Sequence, residues 1–171
     1  MTNLCGVHDL IWSEPDDRRH AYTLRMEGKE TGWLHFDEQA EDRATGELAG
    51  RHLRFEPAES QVPFPSVVVR ENEAVIATFT QRWNGGGTVA FTSGARYCWN
   101  PVHIWSSTWC FRREGSDAAV CVSQQAFPLQ SGGKVRCCSE SVPAEEAQVL
   151  VLLGWYLRVM SRGLQAETII P

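Results

Sequence analysis

No stretch of this chain reaches the roughly 20 consecutive apolar residues that a membrane-spanning helix needs. Its apolar run Val149–Leu157 would be only about 14 Å long as a helix, against a hydrocarbon core of about 30 Å. No Cys-x-x-Cys pair is present, which argues against a structural zinc site. Cys5, Cys98, Cys110, Cys121, Cys137 and Cys138 therefore read as free thiols. Cys137 and Cys138 are adjacent, a poor geometry for a mutual disulfide. His8, His20, His35 and His52 are scattered, with no HxH or HExxH spacing for metal or triad chemistry. Asp37, Glu38, Glu41 and Asp42 lack the spacing of an EF-hand loop and read as a solvated charged loop. The first residues contain no apolar segment of the secretory kind. With free thiols, that points to a reducing, cytoplasmic setting, at most peripheral to a membrane. The net charge of −5 and pI of about 5.5 do not favour non-specific nucleic-acid binding.

What is present is a series of short strands. The 171 residues fit a single domain, taken here as 1–171, large enough for a sizeable core. Seven Trp point to packing or to an interface. Leu10–Trp12 reads as an anchoring strand. Tyr22–Met26 and Gly32–Phe36 form a hairpin around Glu27-Gly28-Lys29-Glu30. Gly46–Ala49 and His52–Phe55 flank Gly50-Arg51. The prolines at 57, 63 and 65 mark a loop. Val67–Arg70 turns through Glu71-Asn72-Glu73 into Ala74–Trp83. Alternation in that strand puts Val75, Ala77, Phe79, Gln81 and Trp83 on one face. Asn84-Gly85-Gly86-Gly87 signals a hairpin turn into Thr88–Thr92, and Ala95–Trp99 follows, broken by Asn100-Pro101. The pattern then gives strands over His103–Arg113, Ala118–Gln124 and Lys134–Ser139, with a loop at Phe127–Gly133. Eleven or twelve strands with turns at regular spacing predict an antiparallel sandwich or barrel.

One long helix closes the chain, predicted over about residues 143–162. Pro143 suits its first position, Glu145 and Glu146 its first turn, and Gly163 a C-terminal stop. At about 100° per residue, Val149–Leu157 covers every face of the helix with apolar residues. Such a helix lies in a membrane or is buried by protein on all sides. It is too short to span a bilayer, so a closed, mainly β barrel of about 12 antiparallel strands around this hydrophobic C-terminal helix is expected. Closure also removes the edge strands that promote aggregation.

This layout resembles the tubby C-terminal-like fold shared by Tubby proteins, LURP-one-related proteins and phospholipid scramblases. The likeness rests on Ala74–Thr92, Thr108–Val122 and the terminal helix with LVLLGWYLRVM, about the second half of the chain. The resemblance implies a 12-stranded barrel around a hydrophobic helix. In Tubby proteins a Lys and an Arg on neighbouring strand segments hold phosphoinositide head groups. That pair has no matching positions here, so no lipid contact is carried over. The acidic calcium-binding segment and clustered cysteines of scramblases are also absent.

Arg82, Arg96, Arg112 and Arg113 lie on central strands and form a candidate basic patch for a phosphate or an acidic partner. His103 with Trp105 and Trp109 could line a pocket or simply fill the core. The Asn84–Gly87 amides could cradle a phosphate, but no helix or P-loop lysine follows, and a hairpin turn explains them. The sequence leans towards a non-enzymatic binding module that recognises an anionic lipid, such as a phosphoinositide, or a protein partner. The alternative is a barrel holding a small apolar ligand, with the helix as a lid and with enzymatic activity. Leu150, Leu153, Tyr156 and Leu157 discriminate between the two: all helix faces touch strands in the first, and one meets solvent or a cavity in the second. No catalytic residue, metal or cofactor is implied.

Overall fold

The computed structural model describes residues 9–14, 20–59, 64–103, 107–125, 132–138 and 141–167, apart from the side chains of 125 and 162–167. Its strands are β1 (Leu10–Ser13), β2 (Ala21–Met26), β3 (Lys29–Phe36), β4 (Ala44–Leu48), β5 (Arg51–Pro57), β6 (Ser66–Glu71), β7 (Ala74–Gln81), β8 (Gly87–Phe91), β9 (Arg96–Pro101), β10 (Thr108–Arg113), β11 (Ala119–Gln125) and β12 (Gly133–Cys137); helix α1 (Ala144–Glu167) follows. Each strand pairs antiparallel with its sequence neighbour, and β1 pairs with β12 to close a 12-strand barrel. Alternation decides which face looks inward. In β4, Ala44, Gly46 and Leu48 are buried while Thr45 is exposed; in β12, Gly133, Val135 and Cys137 are buried between exposed Lys134 and Arg136.

The two mouths of the barrel differ. At one, tight turns join β2–β3, β4–β5 and β6–β7. Their central residues all have positive φ: Glu27 (50°) and Gly28 (79°), Ala49 (54°) and Gly50 (78°), Asn72 (49°) and Glu73 (66°). Two successive positive φ values define the turn whose twist matches paired strands. Glu73 is a costly residue there, and two arginines hold it in place. Arg54 donates to its carboxylate at 3.1 and 2.8 Å, and Arg70 to its backbone carbonyl at 3.1 Å. The opposite mouth carries the longer connections, including 37–43, 58–65 and 102–107.

A barrel of eight strands is filled by its own side chains, whereas one of 16 to 18 strands leaves a channel. Twelve strands leave an axial space, and α1 occupies it. Val149 through Leu153, Trp155 and Tyr156 are each at most 1% exposed. Fully burying one large apolar side chain stabilises by about 1.5–3 kcal/mol, so this run makes the helix the centre of the core. Trp155 stacks on Trp12 at 5.6 Å and meets Tyr22 edge-on at 5.7 Å. The Tyr156 ring lies against both Phe36 (5.5 Å) and Phe55 (5.3 Å). Gly133 lets Trp155 in, because a Cβ there would sit 2.7 Å from the indole.

Polar contacts fix the plug along its axis. Arg51 grips Glu71 with two bonds of 2.9 Å and donates to the Glu145 carbonyl (2.7 Å) and Gln148 Oε1 (3.2 Å). The Tyr97 hydroxyl donates to Glu146, as does the Ser93 hydroxyl. At the other mouth the Tyr156 hydroxyl donates to the Asp42 carbonyl at 2.5 Å.

Three features differ from the sequence reading. The helix passes through Gly163 and ends at Glu167; an interior glycine costs only about 1 kcal/mol relative to alanine, too little to stop it. Pro101 is the last residue of β9, opposite Trp109, and does not break that strand; at a strand end its missing N–H is tolerated. The strand expected over His103–Arg113 begins only at Thr108. His103 is exposed, and Trp105 lies outside the described residues.

Leu153→Asp would bury an unpaired carboxylate at the axis, costing several kcal/mol out of a typical total of about 5–15 kcal/mol. The variant is expected to be unfolded by circular dichroism; a soluble variant with wild-type melting contradicts the central plug. The Arg51 hydrogen bonds hold the Glu71 carboxyl below its ordinary 4.5, against the opposing effect of burial. A depressed folded value contributes stability above pH 4.5 that is lost as pH falls through it. Glu71→Gln should therefore lower Tm at about pH 7, with the gap to wild type narrowing towards about pH 3. A gap independent of pH contradicts this.

Candidate functional site

With the axis filled, binding surface must lie at a mouth or on the outer wall. Among the described residues, the mouth at the C-terminal half of α1 carries the most exposed large hydrophobic one: Trp83, 87% exposed. It sits in the turn between β7 and β8. That turn is closed by Arg82 N–H to the Gly86 carbonyl (2.7 Å), Gly85 N–H to the Arg82 carbonyl (3.1 Å) and Gly86 N–H to Asn84 Oδ1 (3.1 Å). Gly86 lies against the Trp99 carbonyl, where a Cβ would come within 2.7 Å. The Asn84–Gly87 stretch is thus a turn pressed onto β9. The sequence reading put Trp83 on one face of this strand with Ala77 and Phe79, but the strand ends at Gln81. The chain has already begun to turn at Arg82, so alternation no longer applies. The turn signal at Asn84-Gly85 was legible; its reach back to Arg82 was not.

Phe64, 40% exposed, is the neighbour of this turn. The Gln81 N–H donates to the Pro65 carbonyl at 3.0 Å and brings the two segments together. Below them is a small cleft of about 60 Å³ between Phe79, Trp99, Trp109, Leu157 and Met160. Trp99 and Trp109 stack at 5.5 Å. Arg158 caps the stack, 5.6 Å from the Trp109 ring centre. Trp109 therefore packs at the rim of the core, with Trp99 and Arg158 as neighbours, while His103 is exposed and Trp105 lies outside the described residues.

The four candidate arginines do not share one surface. Arg82 Nη2 donates to Thr88 Oγ1 at 3.0 Å. Thr88 is opposite Cys98, and Cys98 opposite Arg112, so Arg82 and Arg112 lie along one row of the outer wall. Arg112 is tied to the Asp117 carbonyl at 3.2 Å. Arg96 pairs with Glu114 at 2.9 Å, which neutralises it. Arg113 is opposite the inward-facing Tyr97, on the other side of the sheet, and its charge reaches the Tyr97 phenol.

A second groove of about 460 Å³ lies on the outer wall around His35, Arg43, Thr45, Arg54 and Glu56. Two of its charges are paired: Arg54 with Glu73 (2.8 Å) and Glu56 (3.5 Å), and Glu56 also with Arg70. The buried tyrosines are not activated. Burial and then Glu146 push the Tyr97 hydroxyl far above its ordinary range, and burial does the same to Tyr156. Among the described residues, no group of three His, Cys, Asp or Glu converges as metal ligands do. No described helix is long and apolar enough to cross a membrane.

Comparison with protein-family models, curated proteins and solved structures found no match.

An exposed turn residue contributes little to stability, so Trp83→Ala should shift the unfolding free energy by no more than about 0.5 kcal/mol. A large drop in melting temperature contradicts its placement in solvent.

Proposed function

We propose that this chain is a non-enzymatic binding module that docks the Trp83 mouth of its barrel on an anionic lipid surface. One observation carries the reading: Trp83 stands 87% exposed in the turn that also carries Arg82. An indole has an apolar body and a polar N–H, which suits the boundary between head groups and acyl chains. A guanidinium pairs with phosphate through two parallel hydrogen bonds. Phe64 adds apolar area beside them. The whole chain is acidic at −5, so attraction must be local and salt-sensitive.

The filled interior supports this reading over a ligand carrier. Leu150, Leu153 and Tyr156 are at most 1% exposed and Leu157 is half-buried. The cleft beside Leu157 holds about 60 Å³, whereas pockets for drug-sized ligands hold about 300–1,000 Å³. Among the described residues, Thr45, His52 and Arg54 place polar side chains on the outer wall, where a bilayer-spanning barrel carries an apolar band.

Flotation with vesicles tests the proposal. The full chain should float with vesicles containing phosphatidylserine or phosphoinositide at low salt, and not with neutral phosphatidylcholine. Arg82→Ala should weaken binding about fivefold, from about 1 kcal/mol per basic residue, and Trp83→Ala should weaken it further. Absence of flotation with every composition, or binding unchanged in both variants, overturns the lipid reading and points to a protein partner at the same mouth.

A further inference from the structure

Cys121 of β11 lies directly opposite Cys137 of β12. The flanking pair exchanges backbone bonds, since the Cys138 N–H donates to the Val120 carbonyl at 2.9 Å. In an antiparallel ladder the next pair is therefore a non-hydrogen-bonded one, with Cα atoms about 4.5 Å apart and side chains at their closest. That spacing falls within the disulfide range of about 4.4–6.8 Å. Both side chains point into the barrel, at 1% and 3% exposure, and the two thiols share a hydrogen bond. Neither is joined in a disulfide.

Access depends on the neighbouring seam. Among the described residues, β12 meets β1 over three residue pairs, fewer than any other ladder of the barrel. Asp9 clamps that seam from outside, 2.8 Å from Arg136 and 3.7 Å from Lys134. Local opening of a short ladder exposes what it covers without global unfolding.

We propose that Cys121 and Cys137 form a reversible redox site that takes a low-molecular-weight disulfide such as oxidised glutathione as its oxidant. When the seam opens, the Cys137 thiolate attacks one sulfur of the oxidant, breaks its S–S bond and releases one thiolate. The Cys121 thiolate then attacks the Cys137 sulfur of the mixed disulfide and releases the second. Two protein thiols become one cross-strand disulfide, and the protons they lose are carried by two molecules of reduced thiol. The hydrogen bond with Cys137, and then burial, disfavour the Cys121 thiolate in the closed barrel, so the exchange follows seam opening. This site is independent of the docking mouth.

The test uses the full-length chain incubated with oxidised glutathione, alkylated and analysed as intact protein and as peptides. The expected product is 2 Da lighter (two hydrogens lost) before alkylation of the remaining thiols. Its cross-link maps to Cys121–Cys137, and dithiothreitol reverses it. Its melting temperature should rise by roughly 5–10 °C. Asp9→Asn should speed its formation by loosening the seam, and Cys138→Ser should leave the cross-link in place. The mapping needs no variant, so a misfolded mutant does not block it. Full alkylation of both cysteines after exposure, or a cross-link mapped to another pair, overturns the proposal.

Discussion

Everything in this molecule depends on one constraint: a helix apolar on every face must be covered on every face. Trp155 and Tyr156 show how fully it is met, each enclosed by rings from separate strands. The requirement runs both ways. Twelve strands closed without a plug would leave the inner faces of β1 to β12 lining a space too wide for their side chains to fill. Helix without barrel would expose its whole apolar run. Neither half has an independent core, so the fold is one cooperative unit.

The plug divides the work between the two mouths. At the N-terminal end of α1, Arg51, Glu71, Tyr97 and Glu146 tie helix to wall through charge-assisted hydrogen bonds. The β2–β3, β4–β5 and β6–β7 connections there are two-residue turns. At the other end the Tyr156 hydroxyl bonds to the Asp42 carbonyl, and Arg158 stacks over Trp109 and reaches the Ser107 carbonyl. With α1 filling the axis, the proposed recognition surface is placed at Trp83, Arg82 and Phe64. The lipid proposal rests on that placement.

Much of the fold was legible in the sequence because the signals were local and periodic. Period-2 alternation and Gly or Asn turns gave the strands, and the apolar run Val149–Leu157 gave the plug. Combining the two gave closure, since a run of nine residues on a helix cannot be hidden by one sheet face. The site was less legible, because it depends on where strands stop. Trp83 kept the alternation of β7 on paper but falls two residues beyond its end. The four arginines are close in sequence pattern, yet neighbours such as Arg112 and Arg113 point to opposite sides of a sheet. Only register reveals that Arg96 meets Glu114 while Arg82 meets Thr88. The same holds for Cys121 and Cys137, whose pairing is a fact of register and invisible to spacing.

Native-state hydrogen exchange tests the central claim most directly. If α1 is the axis on which the barrel closes, the amides of Val149 to Tyr156 can exchange only by global unfolding. Their protection should then equal that of the central strands β4, β7 and β10, with the same free energy and the same denaturant dependence. Helix amides that exchange at much lower free energy while those strands stay protected would show a barrel that stands without its plug, and would contradict the account.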